Sequence, residues 1–259
     1  CGGGYLHLNK CAVGECADVL NQQQLHIIAS LNGWTGEDRM DILSLRPAPL
    51  QVNMLGYAAT AGAGFVDALL TDATSAPPEY RGFYTERTLL MLPSFHHIMA
   101  HKDNLGPPKT KRTRSDLGLP VGGIVFGAHN RVKKIDKGTF SAWMYIMQKV
   151  PGSVMWLSRL AVSPGTEARL RKAAEGAKVS PDRLVFTDTL PASEHVAIKG
   201  FADIALDTPL YNGHITTGDA LWGGTPVLAL PLEAMASRLT SSLHNVLPEG
   251  LLLTRDIDD

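Results

Sequence analysis

The chain has 259 residues, enough for one large α/β domain or two ordinary ones with a sizeable core. A net charge of −1 gives no electrostatic argument for nucleic acid or an anionic membrane as partner, and a hydrophobic share of 44% is ordinary for a soluble enzyme. No apolar run reaches the length of a membrane span and no signal peptide opens the chain, so a cytoplasmic location is expected, with the nucleus added in a eukaryote. Cys1, Cys11 and Cys16 are odd in number and lack a zinc spacing. They point to a reducing compartment and to no particular role. The opening Cys1-Gly2-Gly3-Gly4 and the closing Arg255-Asp256-Ile257-Asp258-Asp259 both look cut, as in a fragment.

In chain order, residues 25–31 read as a buried strand, 32–36 as a turn and 37–45 as an amphipathic helix ended by Arg46-Pro47-Ala48-Pro49. Residues 50–55 form a second strand, closing on Gly56-Tyr57 and a small-residue loop over 58–64. Leu55 and Gly56 thus stand at the carboxyl end of a strand, where α/β sheets bind ligands; the plainer alternative is that the glycines only make the turn. Strands follow at 65–71 and 89–92. His96, His97, His101 and Asp103 are metal-ligand types, but adjacent His96 and His97 cannot share a helix face, so no metal site is expected. The polar, basic stretch 104–114, with Gly106-Pro107-Pro108, is the expected linker, solvated by its charge.

The second half alternates strand and helix: strands at 123–129, 154–157, 183–187 and 202–207, helices at 137–149, 165–177 and 192–199. This predicts a parallel, doubly wound sheet whose strand-end loops share one edge. The loop after 123–129 carries Asn130, Arg131, Lys133 and Lys134; two such lysines are ordinarily solvated. In the loop before 192–199, Ser193 is a candidate cap and His195 lies in the first turns.

After the strand at 202–207 come Pro209, the Asn212-Gly213-His214 turn, Thr216 and Thr217 at a helix start, and Asp219 in or near its first turn. Gly223-Gly224 stop that helix, a strand follows at 227–230, and a last helix covers 233–243. A strand, polar loop and helix N-terminus suit an anion, with Asp219 accepting from sugar hydroxyls. Equally, Thr216 caps the helix and Asp219 only complements its dipole. No strand is followed by G-x-G-x-x-G at a helix start, which leaves a dinucleotide-dependent dehydrogenase little support.

The stretch Leu206-Asp207-Thr208-Pro209…Asn212-Gly213-His214-x-Thr216…Asp219-x-Leu221-Trp222-x-Gly224-Thr225-Pro226 resembles the catalytic C-terminal region of the O-linked N-acetylglucosamine (O-GlcNAc) transferases, SPINDLY-like members included. Arg46-Pro47-Ala48-Pro49 with Leu55-Gly56-Tyr57, Tyr84-Thr85-Glu86, Asn130 with Lys134-Ile135, and Glu194-His195 extend the resemblance over most of the chain.

The resemblance implies an α/β fold of the GT-B glycosyltransferase type with two Rossmann-like lobes, the first incomplete: 1–112 as a partial acceptor-side lobe with linker, 113–259 as the nucleotide-sugar lobe. It implies inverting transfer of N-acetylglucosamine from UDP-GlcNAc to Ser/Thr hydroxyls of protein or peptide acceptors, without cofactor or metal. Lys134 would meet the diphosphate as the catalytic residue, beside Asn130 and Arg131. His214, Thr216 and Thr217 would hold the phosphates, Asp219 the ribose, and His195 would lie against the nucleotide as a binding residue, not a base. Leu55 and Gly56 would lie by the donor sugar or the acceptor. Ala192 and Ile198 replace basic residues of animal members, with Lys199 one step round the helix, so GDP-fucose, the donor of SPINDLY-like relatives, stays open as an alternative. A third reading is a truncated, non-catalytic nucleotide-binding fragment: the upstream histidines near the acceptor and the tetratricopeptide repeats of the family lie outside this chain.

Overall fold

A computed structural model describes residues 4–8, 11–36, 38–54, 56–93, 105–159, 162–243, 247, 251–254 and 256. The chain divides into two compact units, Cys1–Phe95 and His96–Asp259.

The first unit opens with helix α1 (Val13–Gln22), which the sequence reading lacked. Its buried residues are only Cys16 and Ala17, too small to write a helical apolar stripe. Cys11 and Cys16 are joined by a disulfide with Cα atoms 5.7 Å apart, which corrects the expectation that the cysteines have no role. Strand β1 (Ile27–Ser30), helix α2 (Met40–Ser44), and strands β2 (Leu50–Asn53), β3 (Ala68–Thr71) and β4 (Thr88–Met91) follow. The strands form a parallel sheet in the order β1-β2-β3-β4. Its middle is buried, with Val52, Ala68 and Leu69 all under 5% exposed. β1 is an edge among the described residues and leaves Ile27 58% exposed, so this strand is not the buried one expected. Met40 and Leu43 of α2 pack on Val66 and the 61–63 loop. The buried Glu86 carboxylate holds that loop, accepting from the Ala61 N–H at 2.6 Å and the Thr60 hydroxyl at 2.8 Å.

The second unit contains β5 (Val125–Ala128), α3 (Lys137–Lys149), β6 (Val154–Ser158), α4 (Pro164–Gly176), β7 (Leu184–Thr187), α5 (Ala192–Lys199), β8 (Ile204–Leu206), α6 (Ile215–Gly223), β9 (Val227–Ala229), α7 (Leu239–Ser242) and β10 (Leu251–Leu253). All six strands are parallel, in the order β10-β9-β8-β5-β6-β7. The chain winds outward from β5 through β6 to β7, then returns to the other side of β5 through β8, β9 and β10. The direction of winding therefore reverses between β5 and β8. Alternation along the strands builds two cores. Phe126, Ala128, Met155 and Leu157 face Trp143, Met144 and Met147 of α3, while Val125 and Trp156 face Ile198 of α5 and Ala202. The caps follow the sequence: Asp136 accepts from the Gly138 and Thr139 N–H groups to start α3, and Ser163 caps α4 ahead of Pro164.

Three expectations change here. The basic stretch before Ser115 is part of the second unit and packs on it: the Gly106 carbonyl accepts from Trp222 Nε1 at 3.0 Å, Arg112 pairs with Glu194 at 2.6 Å and Arg114 with Asp203 at 2.9 Å. Its two arginines thus have partners on the fold rather than only solvent. The helix expected at 233–243 is a 3-10 turn, Met235–Ser237, followed by the single turn α7. Ser237, Thr240, Ser241 and Ser242 are buried there, and poor helix formers with hydroxyls to place favour short turns. Finally, α5 starts after Pro191 with no side-chain cap, so Ser193 does not cap it. Among the described residues no helix is long and apolar enough to cross a membrane.

Candidate functional site: the switch point of the second sheet

A pocket opens at the carboxyl ends of β5 and β8, lined by His129, Asn130, Asp207, Thr216 and Thr217 among others. Crossover topology puts it there: the loops leaving β5 and β8 part in opposite directions and leave a crevice.

Asp207, which the sequence reading did not nominate, organises the crevice. Its buried carboxylate accepts from Asn130 Nδ2 at 2.8 Å, the Thr208 N–H at 2.8 Å, the Gly213 N–H at 2.7 Å and the Thr240 hydroxyl. Burial pushes this carboxyl above its usual range, and those four hydrogen bonds oppose the shift. An acid immediately after a short apolar strand was the signal available. Asn130 therefore ties β5 to β8, bonding Asp207 and the Thr208 hydroxyl with its amide nitrogen; its buried Oδ1 has no partner.

Lys134 ends the 3-10 turn Val132–Lys134. Its Nζ donates to the Asn212 carbonyl at 2.6 Å and lies 3.9 Å from the centre of the Tyr211 ring. Burial lowers its pKa to about 8; Asp207 opposes that shift, while Arg131 and Lys133 add to it. The sequence-based alternative of a solvated loop lysine thus does not describe Lys134. Arg131 is exposed.

His214 is the N-cap residue of α6, and no side chain caps that helix. Thr216 is not the cap expected as one alternative: it sits inside the first turn and lines the pocket. Thr217 is 3% exposed and shares its hydroxyl with Thr240 at 3.0 Å, so its side chain serves the fold. Burial, then the neighbouring Lys134, lowers the His214 pKa to about 4. Gly213 permits the approach of the loop to the helix, since a Cβ there would come within 2.5 Å of Thr217 Oγ1. Asp219 is the fifth residue of α6, just past its first turn and so near the helix start, as expected.

His195 lies on α5, and its pKa is lowered to about 4 by burial and by Lys199, against the pull of Asp219. Lys199, from sequence only a substitute contact, is 1% exposed, and His129, a residue the sequence did not single out, is half-buried beside it. The structure thus gathers Asn130, Lys134, His214 and Thr216 round one crevice and sets His195 and Asp219 beside Lys199.

Gly56 belongs to the first unit. Its N–H donates to the Leu31 carbonyl at 2.8 Å, and a Cβ would stand 2.1 Å from that oxygen. Close approach of two loops, more than a turn, demands glycine here. Leu55, His96, His97, His101 and Asp103 lie outside the described residues.

Parallel sheets with a polar crevice at the winding reversal make this an α/β protein of the GT-B type. Sucrose-phosphate synthase from Thermosynechococcus elongatus shares that fold, with a TM-score of 0.57 over 98% of this chain and 68% of that one; at 15% identity the likeness concerns fold alone. A mutant O-GlcNAc transferase from Thermobaculum terrenum superposes with a TM-score of 0.86 at 30% identity, covering 96% of this chain and 46% of that one. The chain belongs to glycosyltransferase family 41: the profile described as Glycosyl transferase family 41 matches residues 5–112 and 108–259. It is 37% identical over 242 residues to a protein of Arabidopsis thaliana named probable UDP-N-acetylglucosamine–peptide N-acetylglucosaminyltransferase SEC, covering 92% of this chain and 24% of that protein. It is 28% identical over 352 residues to the UDP-N-acetylglucosamine–peptide N-acetylglucosaminyltransferase of Caenorhabditis elegans, covering 93% and 30%. The chain therefore spans about a quarter to a third of the length of these relatives.

Proposed function

We propose that the second unit is the donor site of a protein O-GlcNAc transferase, binding UDP-GlcNAc and releasing UDP as the sugar passes, with inversion, to a Ser or Thr hydroxyl of a protein or peptide acceptor. The observation that carries this reading is the half-buried Lys134 ammonium beside an uncapped helix start at the switch point. Both present positive charge where a diphosphate fits. The relatives named as UDP-N-acetylglucosamine–peptide transferases support the donor and acceptor.

In the reaction the acceptor oxygen attacks the sugar C1, its hydroxyl proton passes to solvent water, and the bond from C1 to the diphosphate breaks with its electron pair going to UDP. Charge grows on the leaving diphosphate. Lys134, the N–H groups at the start of α6 and the Thr216 hydroxyl meet it, and no divalent ion is required. The neutral His214 contributes a hydrogen bond without adding charge. Asp219 accepts from the ribose hydroxyls, and His195 packs against the nucleoside.

Calorimetry with UDP and GDP in EDTA tests the reading. UDP is expected to bind, and Lys134→Ala to weaken it by roughly 10- to 100-fold, the worth of one charge-assisted contact. A preference for GDP moves the donor to GDP-fucose. Binding of neither by the folded chain removes the donor-site reading.

A further inference from the structure

Lys199 is the last residue of α5, 1% exposed, and its Nζ has no hydrogen-bond partner. A lysine is rarely buried so completely unless a charge nearby offsets its desolvation. The packing of α5 on α6 supplies one. A Cβ on Gly223 would meet the Lys199 Cβ at 3.2 Å and the Val196 carbonyl at 2.7 Å, and one on Gly200 would meet the Gly223 carbonyl at 2.4 Å. The two helices therefore touch backbone to backbone. Asp219 is four residues before Gly223 and shares its face of α6, as His195 shares the face of Lys199 on α5. The groups facing the ammonium are His195 on its own helix, Asp219 on α6 and His129 after β5. The His129 ring stands edge-on to Trp156 at 4.4 Å between centroids, which closes this cluster from the sheet side.

We propose that Lys199 is a positioning residue of the nucleotide site: its buried ammonium is the counter-charge that orients the Asp219 carboxylate toward the ligand's sugar hydroxyls and keeps the His195 and His129 rings neutral. This rests on the donor-site reading for the ligand but not for the charge arrangement. The same ammonium that attracts Asp219 repels a second positive charge, so the rings beside it present uncharged surfaces to a nucleoside. Burial lowers the pKa of Lys199 itself to about 8, with Asp219 acting to restore it, so the ammonium persists at neutral pH.

The test compares UDP with 2′,3′-dideoxy-UDP by calorimetry at pH 7, using the chain and its Lys199→Met, Asp219→Asn and double variants. Both ligands carry the same diphosphate, so the contribution of Lys134 cancels in their affinity ratio. UDP is expected to be favoured by about tenfold in the parent chain, consistent with one charge-assisted contact. Each single variant should bring the ratio to about twofold or less, and the double variant should lose no more than either, because the two residues act through one contact. If GDP is the preferred ligand, the guanosine pair serves instead. A folded Lys199→Met chain that keeps the parent ratio overturns the proposal; should that variant not fold, Lys199→Gln, which also removes the charge but keeps a polar end, decides by the same ratio. Independently of any ligand, the His195 ring followed by NMR should titrate at higher pH in Lys199→Met, since repulsion is gone and Asp219 remains. An unmoved titration overturns the charge role. If the parent chain binds neither nucleotide, the donor-site reading falls and the histidine titration alone decides for or against Lys199.

Discussion

Lys134 Nζ donates to the carbonyl oxygen of Asn212 at 2.6 Å, so the loop after β5 and the loop after β8 are tied by one ammonium. With its pKa lowered to about 8, that group is charged at neutrality and neutral in mild alkali. An anion is held only by the charged form. UDP affinity is therefore expected to fall as pH rises through 8, by about tenfold between pH 7 and 9. Lys199 titrates in the same range. Lys134→Arg separates the two, because guanidinium stays charged and should flatten most of the fall. Calorimetry at three pH values decides, and a parent chain with no pH dependence argues against Lys134 as the phosphate contact.

Acid should destabilise the second unit through its half-buried histidines. His195 and His214 take up protons near 6.5 when unfolded but only near 4 when folded, because burial, aided by Lys199 and Lys134 respectively, disfavours their charge. Between those values the unfolded state holds more protons, so stability is fully present above about pH 6.5 and is lost as pH falls toward 4. The neighbouring His129, its pKa likewise lowered, acts in the same direction. The melting temperature is expected to drop by roughly 4 °C or more from pH 7 to 5. His195→Gln with His214→Gln should reduce that drop, and an identical drop in the double variant counts against these rings as its source.

Thr240 supports the crevice from below. Its hydroxyl donates to Asp207, and its N–H donates to Asn212 Oδ1 at 3.2 Å. Thr240→Val keeps the shape and the backbone bond but leaves a buried carboxylate oxygen short of a donor. A loss of about 2 kcal/mol is expected in urea unfolding, with weakened UDP binding because the 207–214 loop loses its anchor. Full stability in the variant would mean that the Asp207 network does not depend on this hydroxyl.

Gly56→Ala probes the first unit. The new methyl would stand 2.1 Å from the Leu31 carbonyl oxygen, a backbone atom that cannot swing aside. Separation of the two loops should cost about 2–3 kcal/mol, read as a lower unfolding midpoint. Gly62→Ala is the control, since a Cβ there meets nothing within 4 Å although its φ of +62° adds some strain. If both variants lose equally, backbone conformation rather than close approach explains the glycine at 56.

The alternation of strands and helices, the parallel sheets and the loops that carry Lys134, His214 and Thr216 were all legible in the sequence. Periodicity and punctuation by Gly, Pro and capping residues are local signals: helix 137–149 starts where expected because Asp136 accepts from the Gly138 and Thr139 N–H groups beside it. The family resemblance rests likewise on a contiguous stretch, 206–226. What stayed hidden depends on contacts between distant segments. Asp207 gains its meaning from Asn130, 77 residues earlier, and from Thr240, 33 residues later. Lys199 reads as one more charged residue at a helix end until the glycine contacts at 200 and 223 bury it against α6. In the stretch 233–243, where one helix was expected, the Thr240 hydroxyl reaches Thr217 and Asp207 across the fold. Local order is set by residues a few positions apart, whereas burial, and with it every shifted proton affinity in this site, exists only once tertiary packing has removed water.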